Sequence, residues 1–596
     1  MCGICGELNF RQAAGLDAVK RMLPLLAQRG PDFEDSWQQD RIALGHRRLA
    51  IIDLSANSNQ PMVDNELGLT IVFNGAIYNY PELRQQFIAE GYVFSSEGDT
   101  EVILKAYHKW GERCPEHLHG MFAFAIWDHK KQNLFVARDR MGIKPFYFSK
   151  TDQHFLFASN MQALLATGKI DKSIDAAALH NQFTLHAVIP APRTILNGVR
   201  KLEPGTTLTI NNNGEISERR YWSLNATRPD KILSEDEWTY AIHDSLREAV
   251  RKRLDVADVP VGVLLSGGLD SSLLVALLAE AGVKDLLTFS IGFEDQPEEK
   301  GSEFEFSDQV VARYQTQHHK YHISNDDVLP RLPDAVKYMA EPMFGQDAVA
   351  FYLLSEQVSQ QVKVVQSGQG ADEVFGGYFW YPQMHQDIKG TDVERFARYY
   401  FDRPHSEFLQ MVTPEFAGED YTSQQVAELL ALPNGEEFMD RVLRMDVTSL
   451  VVDDPVKRVD NMTMAWGLEA RVPFLDHKLV ELAAQMPPEM KLGLNGGLGG
   501  KHVLKKVARG LIPDAVIDRP KGYFPMPALK YVRGDFLNWM KDILNDKACR
   551  ERGIFNRTYV DKLLAEPDKH FTQLQGSKLW HMALLELWLQ MHVDEA

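Results

Sequence analysis

Position 2 of this 596-residue chain is a cysteine, in "MCGICGELNF". With Met1 removed, Cys2 carries a thiol and a free α-amine, whose pKa in model peptides is about 7.7–8.0. An amine poised there can serve as general base for its own side chain, so the residue can attack an amide without a histidine partner. Two other readings are a C-x-x-C pair with Cys5, for zinc or redox chemistry, and a small buried residue. No second C-x-x-C or matching His pair follows, which counts against a four-ligand zinc site. A nucleophile also needs oxyanion donors and substrate anchors. "FNGAIYN" offers the Asn74 carboxamide and the Gly75 N–H, "GHRRL" the Arg48 guanidinium for a carboxylate, and "EGDTE" Asp99 for an ammonium. Singly these are a turn, a surface cation and a helix cap. Together they describe a site for glutamine.

A second constellation is "VLLSGGLDSS" (263–272), after an apolar run and ahead of a helix. It lacks the Gly-Lys-Ser/Thr ending of a Walker A loop and the spacing of a dinucleotide turn. Ser266, Gly267, Gly268, Ser271 and Ser272 still offer N–H and hydroxyl donors at a positive helix end, a cradle for phosphate. Asp270 inside such a loop repels phosphate unless a cation intervenes, so Mg²⁺ is expected. A second acidic loop, "SGQGADEVFGGY", places Asp372 as another magnesium ligand and lets Ser367 and Gly368 approach a nucleotide.

These residues need elements to hold them. Up to about residue 210, β-branched and aromatic runs such as "LTIVFNGAIYNY" and "MFAFAIWDHKKQNLFVARDR" read as strands, with helices at "PELRQQFIAEGY" and "TEVILKAYHKWG". "RPDKILSEDEW" is a polar linker with Ser234 as a helix cap. Beyond it, apolar strands alternate with helices, "HKYHI" being followed by one long helix. That alternation predicts a parallel, doubly wound sheet, whose loops converge at the strands' carboxyl ends. After about 385 the pattern is mainly helical. Apolar residues make up 44% and charged residues 24%, an ordinary globular composition, and a length of 596 residues calls for more than one core. The net charge of −18 argues against broad nucleic-acid binding. No apolar run spans a membrane and no signal peptide is visible, and four cysteines in so long a chain suit a reducing cytoplasm.

"MCGICG", "RGPD", "GHRRLAIIDLS", "QPM", "FNGAIYNY", "GDTEVI", "GMFAFAIWD" and "ARDRMGIKPFY", in order over roughly residues 2–160, resemble class II glutamine amidotransferases. The resemblance implies a four-layer αββα domain that hydrolyses glutamine. It makes Cys2 the nucleophile, Asn74 and Gly75 the oxyanion pair, Arg48 the carboxylate anchor and Asp99 the amine anchor. "SGGLDSS" is similar to the pyrophosphate loop of ATP pyrophosphatases. Together with "TFSIGF", "SGQGADEVFGGY" and "KRVDNMTMAWGLEARVPFLDH" it resembles the synthetase domain of the asparagine synthetase family. That resemblance puts the base and ribose at Leu264, Ile291, Ser367 and Gly368. Pyrophosphate and Mg²⁺ then fall at Ser266, Gly268, Asp270, Ser271 and Asp372. Lys521, in "RPKGYF", occupies the place of the family's active-site lysine, with Lys501 a second candidate. The expected architecture is an α/β multidomain chain. A glutaminase at 2–215 joins an amide-forming, ATP-pyrophosphatase-like domain with a helical extension at 235–596. The reaction class is glutamine, ATP and a carboxylate giving an amide, glutamate, AMP and PPi. Ammonia is mostly protonated at pH 7, so a dedicated glutaminase with an internal route suits it.

Family members that make asparagine usually carry Glu before the second Gly of the acidic loop, where this chain has Gln369. "TLHAVIPAPRTILNGVRKL", "FEFSDQ" and "RPKGYFPMPALKYVRG" are similar to the family branch that amidates N-acetylglutaminylglutamine. The resemblance therefore favours that acceptor, with aspartate as the alternative. It also suggests a homodimer.

Overall fold

The N-terminal half is built from two six-stranded antiparallel sheets. One runs in the order Arg200–Lys201, Tyr147–Lys150, His154–Ala158, Gly3–Asn9, Ile42–Arg48, Phe33–Gln39. The other runs Ile216–Arg220, Thr206–Asn211, Asn133–Arg138, Gly120–Asp128, Leu69–Ile77, Met62–Asp64. These elements come from a computed structural model that describes residues 2–494, 497, 499–519 and 526–594.

Strand alternation sorts side chains between layers. Ile4 and Leu8 pack between the sheets with Val72, Ala123, Ala125 and Trp127. Cys5 points the other way, onto the helix Asp17–Met22 with Val19 and Met22. Phe73 and Ile77 face the helices Tyr80–Ala89 and Asp99–Trp110, packing on Phe87, Val102 and Ile103. The result is helix, sheet, sheet, helix, the expected four layers. Parity also settles the C-x-x-C reading. Residues three apart on a strand lie on opposite faces, so Cys2 and Cys5 cannot share a ligand, and all four cysteines are free and buried.

The "ARDRMGIKPFY" turn is held from within. The Asp139 carboxylate accepts backbone N–H bonds from Phe122, Met141, Ile143 and Lys144. Arg138 donates to the carbonyls of Gly142, Lys144 and Leu202.

The linker ends at Ser234, which caps the helix Glu235–Asp255 through a reciprocal capping box with Glu237. A five-stranded parallel sheet follows, in the order Gln317–Ile323, Leu287–Phe293, Val261–Leu264, Val364–Gln366, Glu469–Arg471. Val364 and Val365 face different cores, so helices cover both sides, as a doubly wound sheet requires. The single long helix expected after "HKYHI" is instead broken. Pro330 and Pro333 divide it into Asn325–Val328, a 3₁₀ turn Leu329–Arg331 and Leu332–Lys337, and the long helix is Asp347–Ser359. Among the described residues beyond 385 the regular elements are helices, apart from the edge strand Glu469–Arg471. Among the described residues no helix is long and apolar enough to cross a membrane.

Candidate functional site

Cys2 directly precedes the strand Gly3–Asn9, and Asn74 lies on Leu69–Ile77 in the opposing sheet. Both fall on the face between the sheets, so the strands bring them together. The Cys2 N–H donates to Asn74 Oδ1 at 3.0 Å, while Asn74 Nδ2 is buried without a hydrogen-bond partner. That leaves a fixed donor for a developing oxyanion. A Cβ at position 75 would stand 2.1 Å from the Met121 carbonyl oxygen, so only glycine fits beside it. A cavity of about 30 Å³ is lined by Cys2, Arg48, Gly75, Asp99 and Glu469. Burial pushes the Cys2 thiol above its ordinary pKa.

Arg48 donates to the carbonyl oxygens of Asp53 and Ser55 and to Asn59 Oδ1. These neutral acceptors hold the side chain in place and leave its positive charge uncancelled. Asp99 opens the helix Asp99–Trp110, whose N-cap is Gly98, and its Oδ2 accepts the Ile77 N–H at 3.0 Å. Burial raises its carboxyl pKa to about 6.

Glu469, which the sequence reading did not single out, reaches this cavity from the parallel sheet. It pairs with Arg471 at 2.5 Å, and Arg471 and Lys144 help hold its carboxylate down at about 2 against the opposing effect of burial. Arg29 of "RGPD" also bridges the halves. It donates to the Cys2 carbonyl and pairs with Asp460 at 2.9 Å, and Lys144 meets the same carboxylate at 3.2 Å. No local periodicity announces such pairings.

The second site lies where the parallel sheet reverses its order. Val261–Leu264 has Leu287–Phe293 on one side and Val364–Gln366 on the other, which opens a crevice at the strand ends. A cavity of about 600 Å³ there is lined by Leu264, Ser266, Gly268, Asp270, Ser271, Ile291, Ser367, Gly368 and Asp372, while Gly267 and Ser272, also expected in the phosphate cradle, are not among its lining residues. The loop needs Gly267 at φ +76, where a Cβ would meet the Ser307 nitrogen at 2.7 Å. The Ser266 N–H donates to Ser271 Oγ and the Gly268 N–H to Ser266 Oγ, so the hydroxyls shape the cradle before any phosphate arrives.

The expected magnesium ligands converge on a lysine. Lys501 Nζ lies 2.6 Å from Asp270 Oδ2 and 2.9 Å from Asp372 Oδ1. Burial works against its charge, but the two carboxylates more than offset it and hold the ammonium protonated. The carboxylates are thus close enough to share one cation. With phosphate oxygens and water they form a donor set that suits Mg²⁺. Lys521 lies outside the described residues.

A further cavity of about 200 Å³ adjoins the crevice, sharing Asp347, Tyr378 and Arg458 with it. Trp380 and Trp580 stand in its walls, and Lys530 closes one side.

The family model for asparagine synthase matches residues 241–590, and that for a glutamine amidotransferase domain matches 1–222. "Asparagine synthetase [glutamine-hydrolyzing] 3" of Bacillus subtilis is 31% identical, over all of both chains. "Asparagine synthetase [glutamine-hydrolyzing] 1" of the same organism is 30% identical, over all of this chain and 97% of the relative. A solved glutamine phosphoribosylpyrophosphate amidotransferase of B. subtilis aligns with TM-score 0.30 and 14% identity, over 55% of this chain and 92% of that one. With these matches over both halves, the chain belongs to the asparagine synthetase family of glutamine-dependent, ATP-using amidotransferase ligases.

Proposed function

We propose that this enzyme converts the free carboxylate of N-acetylglutaminylglutamine to a primary amide, with glutamine as nitrogen donor and ATP cleaved to AMP and PPi. Residues 2–215 form the glutaminase. There Cys2 attacks the glutamine amide, Asn74 and Gly75 receive the oxyanion, and Arg48 and Asp99 hold the substrate's carboxylate and ammonium. Residues 235–596 adenylate the acceptor, with ATP on Leu264, Ser266, Gly268, Asp270, Ser271, Ile291, Ser367 and Gly368. Asp270 and Asp372 would hold Mg²⁺, which when bound shields phosphate charge. Lys501 is placed to carry positive charge to the same oxygens, and Lys521 is assigned there by the family pattern. We assign the enzyme to the cytoplasm, which its four free cysteines suit, and to a homodimer on the family's precedent.

The observation that supports the acceptor assignment is the pairing of the adjoining cavity's cations. They are already paired among the described residues: Arg458 with Asp347 and Asp454, Lys530 with Glu299, His186 with Asp402. The cavity's further carboxylates, Glu373 and Asp446, accept hydrogen bonds from the Tyr378 and Tyr381 hydroxyls. An acceptor whose only charge is its reacting carboxylate fits such a lining. An N-acylated dipeptide is such a molecule. Aspartate would bring a second carboxylate and an ammonium. Aspartate remains the second reading, favoured by the printed names of both B. subtilis relatives.

The deciding experiment assays PPi and AMP release with N-acetylglutaminylglutamine and aspartate in parallel. Turnover of the dipeptide alone supports the proposal, and turnover of aspartate alone replaces it with asparagine synthesis. Release of ADP in place of AMP would overturn adenylation.

A further inference from the structure

Outside both catalytic centres, two imidazoles and a carboxylate converge. His180 Nε2 lies 2.9 Å from His405 Nδ1 and 4.0 Å from Asp420 Oδ1. One ligand atom from each of the three residues fits within a span of 4.8 Å. None of them lines the glutamine cavity, the nucleotide crevice or the acceptor cavity.

Three separate elements bring these groups together. His180 sits within Ala176–Thr184, the last helix of the glutaminase half. His405, 225 residues further along, opens the helix His405–Met411, and Asp420 caps Tyr421–Ala431. The His180 side chain is fully buried, with the Phe408 ring edge-on to it at 4.5 Å, whereas Asp420 is 37% exposed. An ion held here has protein on one side and water on the other.

The far side of the His180 ring is also provided for. With a metal on Nε2 the ring proton sits on Nδ1, and a second-shell acceptor must take it. Thr422 Oγ1 lies 2.6 Å from Nδ1, and its own hydrogen goes to Asn181 Oδ1 at 2.9 Å, so its lone pairs face the imidazole. The longer Thr422 N–H contact with Nδ1, 3.3 Å, suits the opposite tautomer, in which Nε2–H donates to His405. The ring thus has partners in a metal-free and a metal-bound form. Asp420 is oriented by Ser423, whose N–H donates to Oδ1 at 3.0 Å and whose hydroxyl donates to Oδ2 at 2.8 Å. A carboxylate oxygen with one such bond keeps a lone pair for a cation.

We propose that His180 Nε2, His405 Nδ1 and Asp420 Oδ1 form a site for a divalent metal ion of the zinc class, which fastens the glutaminase half to the helical extension. Two imidazole nitrogens and one carboxylate oxygen are a donor set that such ions take, with a fourth position left to water. Tetrahedral bonds of about 2.0–2.1 Å place ligand atoms about 3.3 Å apart. The 2.9 Å and 4.0 Å spacings bracket that value, so side-chain shifts of under about 1 Å complete the site.

The test titrates ZnCl₂ into the chelator-treated full-length enzyme by calorimetry and follows its melting temperature. Excess MgCl₂ occupies the phosphate loop, and Cys2→Ala is the common background, so that the glutaminase thiol does not bind zinc. This parent is compared with His405→Ala and with Asp420→Asn, which keeps a capping oxygen for its helix. Circular dichroism before zinc is added reports whether each variant is folded. The parent is expected to bind one equivalent of Zn²⁺ and to melt higher with it. Each variant should bind at least about ten-fold more weakly, a loss that even outer-shell changes produce, and should lose most of the melting shift. If His405→Ala does not fold, Asp420→Asn decides alone. Absence of zinc binding by the parent, or undiminished affinity in a folded variant, overturns the site.

Discussion

Lys501 and Asp270 meet at 2.6 Å although 231 residues separate them in the chain. The lysine thereby ties the phosphate loop to the acidic loop through Asp372. Lys501→Met removes the cation between two partly buried carboxylates. The loss of stability should approach, but fall short of, the roughly 3–5 kcal/mol of a fully buried broken pair. Added Mg²⁺ should raise the variant's melting temperature more than the wild type's. PPi release should fall by about two orders of magnitude while glutamine hydrolysis persists. Equal Mg²⁺ shifts in the two proteins would refute the shared-cation geometry.

Cys2→Ala should abolish glutamine-dependent amide formation and spare the reaction with ammonium salts. Asn74→Ala should lower kcat for glutamine hydrolysis by about 10²–10³, the cost of one oxyanion donor. Parallel loss with glutamine and ammonium would contradict two separate sites.

Asp99 has its carboxyl raised by burial to about 6, and a charged carboxylate is what a glutamine ammonium requires. The kcat/KM for glutamine should therefore fall as pH drops through about 6, with kcat changing less. The stability effect has the opposite sense. A carboxyl raised in the folded state favours folding while protonated, and that contribution disappears as pH rises through about 6. Asp99→Asn should thus stabilise the protein at pH 7.5 by on the order of 1–3 kcal/mol while losing glutamine binding. Thermal melts and glutamine KM read the two effects separately.

Asp460 is buried between Arg29 and Lys144, and their charges outweigh burial and keep its carboxyl below the usual range. Asp460→Asn leaves two buried cations facing a neutral group and should cost about 3–5 kcal/mol in chemical denaturation. A change below 1 kcal/mol would mean that solvent reaches this contact.

The sites differ in how much of each could be read along the chain. Cys2 and the 263–272 loop announce themselves because their chemistry is local: one needs only an adjacent amine, the other a strand, a tight turn and a helix in succession. Asn74 joined the first site because alternation fixes its face. Glu469, Asp460 and His180 carry no such mark. Each acquires its role from a neighbour far away in the chain, and a buried charge or imidazole has the same local sequence pattern whatever it meets. The helix expected after "HKYHI" failed for a local reason, since two prolines outweighed the apolar spacing.

The short strand Glu469–Arg471 has its first side chain in the wall of the Cys2 cavity, while the carbonyl of its last residue accepts the N–H of Ser367, which lines the nucleotide crevice. Three residues are thus common property of both catalytic centres. A chimera that joins this glutaminase to another relative's synthetase would place a foreign strand in the glutamine pocket. The workable seam for such engineering follows this strand and its partners Arg29 and Lys144, not the polar linker where the chain is easiest to cut.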